Sequence, residues 1–184
     1  MRVITGTARG RRLNELKGNE TRPTTDKVKE AVFSAIQFEV EGSEVLDLFA
    51  GTGQLGIEAL SRGAAGAVFV DKRADAVKLV RDNLALTQLT ENAQVICGDS
   101  MAYLRGLNRK FDIVFLDPPY AADLLENALT HLFAFDILRP HGIIIAESPA
   151  DKTLPVPPEP YRVAKEYRYG KIKTTVYRRD GEEN

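Results

Sequence analysis

Soft metal ligands are scarce in this 184-residue chain, which has one cysteine, Cys97, and two histidines, His131 and His141. A single thiol cannot form an internal disulfide, and the three residues lack metal-ligand spacing, so no structural zinc is expected. Cys97 reads as a small buried apolar residue and the histidines as structural or surface groups. No apolar run reaches the length of a membrane-spanning helix. The start, Met1-Arg2-Val3-Ile4-Thr5-Gly6, has no signal-peptide core, so the chain is expected to stay in the cytoplasm. Internal repeats and low-complexity tracts are also missing. A hydrophobic share of 43% and a charged share of 28% are what one soluble globular domain with a substantial core requires.

Net charge is nearly absent too, at −1, but it is unevenly spread. Residues 1–30 hold eight Lys/Arg against four Asp/Glu, and the remainder holds 17 against 22. Arg2, Arg9, Arg11 and Arg12 fall within the first twelve residues without an acid among them. A basic arm, residues 1–22, on a mildly acidic body, residues 23–184, points to a local contact with a phosphate backbone. Arg9, Arg11 and Arg12 are its strongest candidates. Arg168, Lys171 and Lys173 could extend the patch.

Along the chain, Val3-Ile4-Thr5 and Arg12-Leu13-Asn14 can pair as a small hairpin around Gly6 and Gly10. Thr25-Asp26 can cap a helix whose apolar face is Val28, Val32, Phe33 and Ile36. Helices are expected at 54–62, 73–86, 100–108 and 122–136, and strands at 45–49, 67–70, 93–97, 111–116 and 142–147. Their alternation predicts an α/β fold with a largely parallel sheet covered on both faces. Pro140-His141-Gly142 reads as a turn into the fifth strand. The proline-rich stretch 152–160 reads as a loop. The segments 161–169 and 171–179, around Gly170, read as an antiparallel pair closing the sheet.

The most informative stretch is Asp117-Pro118-Pro119-Tyr120. It follows Phe111-Asp112-Ile113-Val114-Phe115-Leu116, an apolar run that reads as a buried strand. Open α/β sheets bind ligands at that end of their strands. A rigid turn there offers a carboxylate, a free carbonyl and an aromatic ring. That set suits a planar substrate bearing an amino group: Tyr120 can stack on the plane, and Asp117 with the Pro118 carbonyl can accept from the NH2.

A glycine-rich loop, Asp47-Leu48-Phe49-Ala50-Gly51-Thr52-Gly53, joins the first strand to a helix. Gly51 and Gly53 permit a tight turn and close approach by a ligand. With Gly56 the spacing also matches the dinucleotide fingerprint. Asp71 ends the next strand, where a carboxylate can accept from ribose hydroxyls. Asp99 ends the third strand and can meet a base edge or its exocyclic amine, or cap the helix that follows. Two cofactors compete for this loop. A dinucleotide needs its pyrophosphate on the helix-start amides. S-adenosylmethionine carries a cationic sulfonium and ammonium, which Asp47 would serve.

Asp47-x-Phe49-Ala50-Gly51-x-Gly53 with Asp117-Pro118-Pro119-Tyr120 resembles the class I S-adenosylmethionine-dependent methyltransferases of exocyclic nucleobase amines. More narrowly, the chain resembles the RsmD family. The matching segments are Arg2-Val3-Ile4-Thr5-Gly6, Arg9-Gly10-Arg11-Arg12-Leu13, Arg22-Pro23-Thr24-Thr25-Asp26-Lys27-Val28-Lys29-Glu30 and Leu55-Gly56-Ile57-Glu58-Ala59-Leu60-Ser61-Arg62-Gly63. Asp71 stands where the family often has Glu, and Tyr120 where some members have Phe.

The resemblance implies a Rossmann-like seven-stranded class I methyltransferase sheet, mostly parallel with a C-terminal antiparallel hairpin, preceded by a small basic N-terminal hairpin. It implies transfer of a methyl group from S-adenosylmethionine to N2 of a guanine, position 966, of 16S ribosomal RNA. That RNA would be met free, in the small subunit, or in an assembly intermediate. Asp47 and the Ala50–Gly53 backbone would hold the methionine part, Asp71 the ribose, and Asp99 with the Ser100 amide the adenine, with Phe49 and Thr24 also among the cofactor-binding residues. Arg22, Pro23 and Thr24 would form a lid, with Arg22 also at the RNA entrance. Asp117, Pro118, Pro119 and Tyr120 would form the catalytic turn. Two other classes stay open: a DNA or RNA adenine-N6 methyltransferase, and a non-catalytic RNA-binding protein on the same fold.

Overall fold

Short runs of β-branched and aromatic residues form the centre of the molecule, because only a sheet covered on both faces can bury them. The computed structural model describes residues 1–18, 25–120 and 123–182. Strands β1 (Glu44–Asp47), β2 (Gly66–Asp71), β3 (Ala93–Cys97), β4 (Phe111–Leu116) and β5 (Leu138–Pro149) are parallel. Strands β6 (Tyr161–Tyr169) and β7 (Ile172–Arg179) complete one sheet in the order β3-β2-β1-β4-β5-β7-β6. β7 lies antiparallel between β5 and β6. The chain steps outward from β1 to β3, then returns to place β4 against β1. This reversal opens a crevice at the C-terminal ends of β1 and β4.

Among the described residues, five α-helices cover the sheet: α1 (Asp26–Ala35), α2 (Gln54–Ser61), α3 (Ala74–Thr87), α4 (Ser100–Arg105) and α5 (Leu124–Ala134). The Thr25 hydroxyl accepts from the Val28 N–H at 3.3 Å and starts α1. Strand side chains alternate, so two apolar layers result. Val45, Phe69, Ile113, Phe115 and Ile145 meet Phe33, Ile57 and Val80 on one face. Leu46, Val68, Val114 and Ile144 meet Leu104, Leu129 and Leu132 on the other. α2 sits so close to the sheet that a Cβ at Gly56 would lie 2.3 Å from the Phe69 ring.

The N-terminal hairpin is present but short. Val3 N–H donates to the Arg11 carbonyl, and the ladder holds one antiparallel bridge, Arg2 with Arg12. The reason is competition for amides. Ile4 and Thr5 N–H donate to the Glu58 carboxylate at 2.9 and 3.0 Å, and Ala8 N–H to the Ser61 hydroxyl at 3.0 Å. Asn83 joins the other end, accepting from Asn14 N–H at 2.8 Å. Val3, Ala8 and Leu13 are buried in the same apolar layer as α1 to α3. Glu58 and Lys29, both fully buried, stand 3.5 Å apart beneath the hairpin, and Arg62 donates to Glu58 at 2.9 Å. Burial holds the Lys29 amine below its ordinary range, with Glu58 opposing that shift.

Several sequence expectations need correction. Cys97 is exposed rather than buried, because β3 is an edge strand and no residue of it is fully covered. Pro140-His141-Gly142 lies inside β5 rather than before it. The register against β4 jumps from Phe111↔Leu138 to Ile113↔Ile143, so residues 139–142 form a bulge, with His141 at φ 66°. Lys173 is buried and donates to the Lys152 carbonyl at 2.8 Å, so it cannot belong to an RNA-facing patch. β7 is buried along most of its length because strands flank it on both sides.

Candidate active site

Acidic residues gather where the sheet ends. Asp47 and Asp71 are the last residues of β1 and β2, and Glu147 lies near the end of β5. Alternation carries them on from Val45, Phe69 and Ile145 on the face of α1 to α3. Asp117 follows β4 directly. All four line one cavity of about 390 Å³, within the range of small-molecule and cofactor sites. Phe49, Ala50, Gly51, Asp99, Ser100, Pro118, Pro119 and Tyr120 line it as well. The cofactor loop and the Asp-Pro-Pro-Tyr turn thus share one space.

The loop is braced by the carboxyls that end β1 and β2. Asp47 Oδ2 accepts from the Gly56 N–H at 3.1 Å, and Asp71 Oδ2 accepts from the Gly51 N–H at 2.9 Å. Asp71 Oδ1 accepts from the Arg73 N–H at 2.9 Å. Gly51 has φ 57°, and a Cβ there would project into open space. Gly53 does not line the cavity. It starts α2 at φ 81°, where an added Cβ would crowd Val80 and Ile57.

Asp47 is 1% exposed, and burial pushes its carboxyl up to about 8. The Gly56 N–H opposes that rise, while Asp117 and Asp71 add to it. A buried acid among two others is a place for a cation. It does not suit a pyrophosphate, because Asp47 and Asp71 already occupy the Gly56 and Gly51 amides that an anion would need. S-adenosylmethionine fits this donor set: a cationic end at Asp47, hydroxyls at Asp71, and a base beside Asp99 and Ser100.

Asp99 also caps α4, its Oδ1 accepting from the Ala102 N–H at 2.8 Å. The Ser100 hydroxyl donates to the Leu48 carbonyl at 2.8 Å, tying α4 to the end of β1. Tyr120 stands at the mouth with about half its surface exposed, 51%, and donates its hydroxyl to Glu147 Oε1 at 3.2 Å. Arg9, Arg11 and Arg12 are exposed on the hairpin outside the cavity, and Arg11 Nη1 donates to the Leu86 carbonyl at 2.7 Å. Arg22, Pro23 and Thr24 lie outside the described residues.

Sequence reasoning missed two parts of the wall. Glu147, 9% exposed, completes the turn's surroundings. An acid at the end of a strand was the available signal, the one that marked Asp71. Met1, Glu15, Leu16 and Gly18 also line the cavity. No motif connects them to the loop. Asn83 makes that connection, its Nδ2 donating to the Asn14 and Thr52 carbonyls.

Known proteins share this architecture. The family model described as Conserved hypothetical protein 95 matches residues 1–178. The YlbH protein of Bacillus subtilis (strain 168) is 40% identical over 184 residues, covering 98% of this chain and 100% of its own. The Ribosomal RNA small subunit methyltransferase D of Escherichia coli (strain K12) is 36% identical over 183 residues, covering 99% of this chain and 91% of its own. The solved structure of Escherichia coli yhhF superposes with a TM-score of 0.89 at 33% identity, covering 99% of each chain. With the sheet order, the carboxylate-lined loop and the Asp-Pro-Pro-Tyr turn in one cavity, these similarities establish that the chain belongs to the RsmD family, that of the ribosomal RNA small subunit methyltransferases D.

Proposed function

We propose that this protein methylates the exocyclic N2 of one guanine in 16S ribosomal RNA, free or within a small-subunit particle, with S-adenosylmethionine as donor. The observation carrying this reading is the single cavity shared by Asp47, Asp71 and Asp99 with Asp117, Pro118 and Tyr120. The relatives that carry the name small subunit methyltransferase D support the RNA class.

Bound S-adenosylmethionine supplies a sulfonium methyl, so the N2–C bond forms as the C–S bond breaks, and N2 then loses a proton. Asp47 neutralises the cationic end, and Asp71 accepts from the ribose. Asp117 and the Pro118 carbonyl accept from the N2 hydrogens. They orient a weakly nucleophilic amine and stabilise the positive charge that develops on it. Tyr120 clamps the base by stacking. Asp117 can take the proton after transfer, when the methylated amine is far more acidic, so no base with a tuned pKa is needed. Arg9, Arg11, Arg12 and Arg22 meet RNA phosphates, with segment 1–22 as the gripping arm of the domain at 23–184. The reaction belongs in the cytoplasm, where ribosomes are built.

Nucleoside mass spectrometry tests this. Purified protein, S-adenosylmethionine and small-subunit RNA or particles from a strain lacking the gene should yield N2-methylguanosine. Methyl on adenine N6 would overturn the substrate, and no methylated nucleoside would overturn the activity.

A further inference from the structure

Glu147 has no part in the chemistry above, yet it stands beside it. Leu116 pairs with Ala146 in the parallel ladder of β4 and β5. Asp117 and Glu147 are the next residues on the two strands, whose spacing is about 4.8 Å. Both line the cavity. Glu147 is 9% exposed, and Tyr120 donates to its Oε1 at 3.2 Å. The carboxylate is therefore held at the rim of the Tyr120 ring. A base stacked on that ring brings its hydrogen-bonding edge to that rim.

Guanine presents two adjacent donors on its Watson–Crick edge, N1–H and the N2 amine. Adenine presents an acceptor at N1. An acceptor pair side by side on neighbouring chain segments, one after β4 and one near the end of β5, matches the guanine pattern and opposes the adenine one. A carboxylate facing the lone pair of an unprotonated N1 repels it, which is discrimination by a built-in clash. We propose that Glu147 is the specificity-determining residue for guanine, accepting N1–H while Asp117 and the Pro118 carbonyl take the N2 amine. This rests on the guanine-N2 reading above.

The test uses small-subunit RNA, or particles reconstituted from it, with guanosine, 2-aminopurine riboside or 2,6-diaminopurine riboside at the methylated position. Each base carries the 2-amino group, but only guanine has a hydrogen on N1. The readout is the guanosine to 2-aminopurine ratio of kcat/KM, compared between the full-length wild type and Glu147→Gln. Intrinsic differences in amine reactivity cancel between the two enzymes. The wild type should prefer guanosine by roughly 10- to 100-fold. Glu147→Gln can donate its amide to an unprotonated N1. It should lower the ratio at least tenfold and gain on 2,6-diaminopurine, with cofactor affinity by calorimetry unchanged. A structural role for Glu147 would slow all three substrates alike and leave the ratio fixed.

A fixed ratio, or a wild type that accepts 2-aminopurine as readily as guanosine, overturns the proposal. If Glu147→Gln does not fold, Glu147→Ala takes its place in the same two-enzyme comparison and should likewise lower the guanosine to 2-aminopurine ratio, because it removes the acceptor for N1–H. A wild type that makes no N2-methylguanosine on the unmodified substrate instead removes the reading beneath it, and that failure is distinct from a flat ratio.

Discussion

Asp47 Oδ2 accepts the backbone N–H of Gly56 at 3.1 Å, so the acid at the end of β1 occupies the first turn of α2 from within the chain. Burial raises this carboxyl from 3.8 to about 8 in the folded protein. Between those values the folded state holds a proton that the unfolded state does not. Stability of the cofactor-free protein should therefore fall as pH rises through this window and level off above it. Denaturant titrations from pH 5 to 9 should show this decline, and Asp47→Asn should flatten it. A cation at Asp47 reverses the balance by favouring the charged form. S-adenosylmethionine binding at pH 7 should then release a proton, seen as a dependence of the calorimetric enthalpy on buffer. Asp47→Asn should remove that dependence.

Asp117 and Asp71 should separate catalysis from binding. If Asp117 accepts from the reacting amine as proposed, Asp117→Ala should cut methyl transfer on the order of 100-fold, with cofactor affinity little changed. Asp71→Ala should mainly weaken cofactor binding. It loses the anchor of the Gly51 N–H and, on the proposed reading, the acceptor for the ribose. Asp71→Asn keeps one acceptor oxygen and should bind better than Asp71→Ala. Single-turnover rates beside calorimetry would check the division. Equal affinity losses in the Asp117 and Asp71 variants would refute it.

The buried Lys29–Glu58 pair fastens the basic hairpin to α1 and α2. Glu58→Ala leaves the Lys29 ammonium buried without its carboxylate and two hairpin amides without their acceptor. It should cost about 3–5 kcal/mol in urea unfolding. Lys29→Met combined with Glu58→Leu should cost less than Glu58→Ala alone, because the fully buried Lys29 charge is then removed together with its partner, and only the partly exposed Arg62 loses its carboxylate. A double variant as unstable as the sum of both single variants would contradict this account.

On the hairpin, Arg9 and Arg12 should act mainly on RNA affinity. Replacing both with Ala should lower the slope of log affinity against log salt by about 1.5, if each meets one phosphate. Melting temperature should hardly change, because both are exposed. Arg11 differs: its guanidinium is bonded to the Leu86 carbonyl, so Arg11→Ala should also loosen the hairpin against α3. RNA titrations at several salt concentrations, with thermal melts alongside, separate the two effects. An unchanged slope for the Arg9/Arg12 variant would remove the hairpin from the RNA surface.

Local patterns determined much of this protein. Apolar runs of strand length separated by helical periods predict the alternating fold, and acids or a Pro-Pro turn at strand ends predict where chemistry gathers. Asp47, Asp71, Asp99 and Asp117 could be picked out because each closes a readable strand. Glu147 ends the strand expected at 142–147 too, but only the pairing of Ala146 with Leu116 brings it beside Asp117. Tertiary structure alone decided how the hairpin ends. Ile4 and Thr5 donate to Glu58, more than fifty residues away, and no local rule couples such distant groups. The edge position exposed Cys97, and the insertion of β7 between β5 and β6 buried Lys173. Burial in a sheet depends on which strands flank a residue. Strand order is set by long-range pairing, which composition and periodicity do not encode.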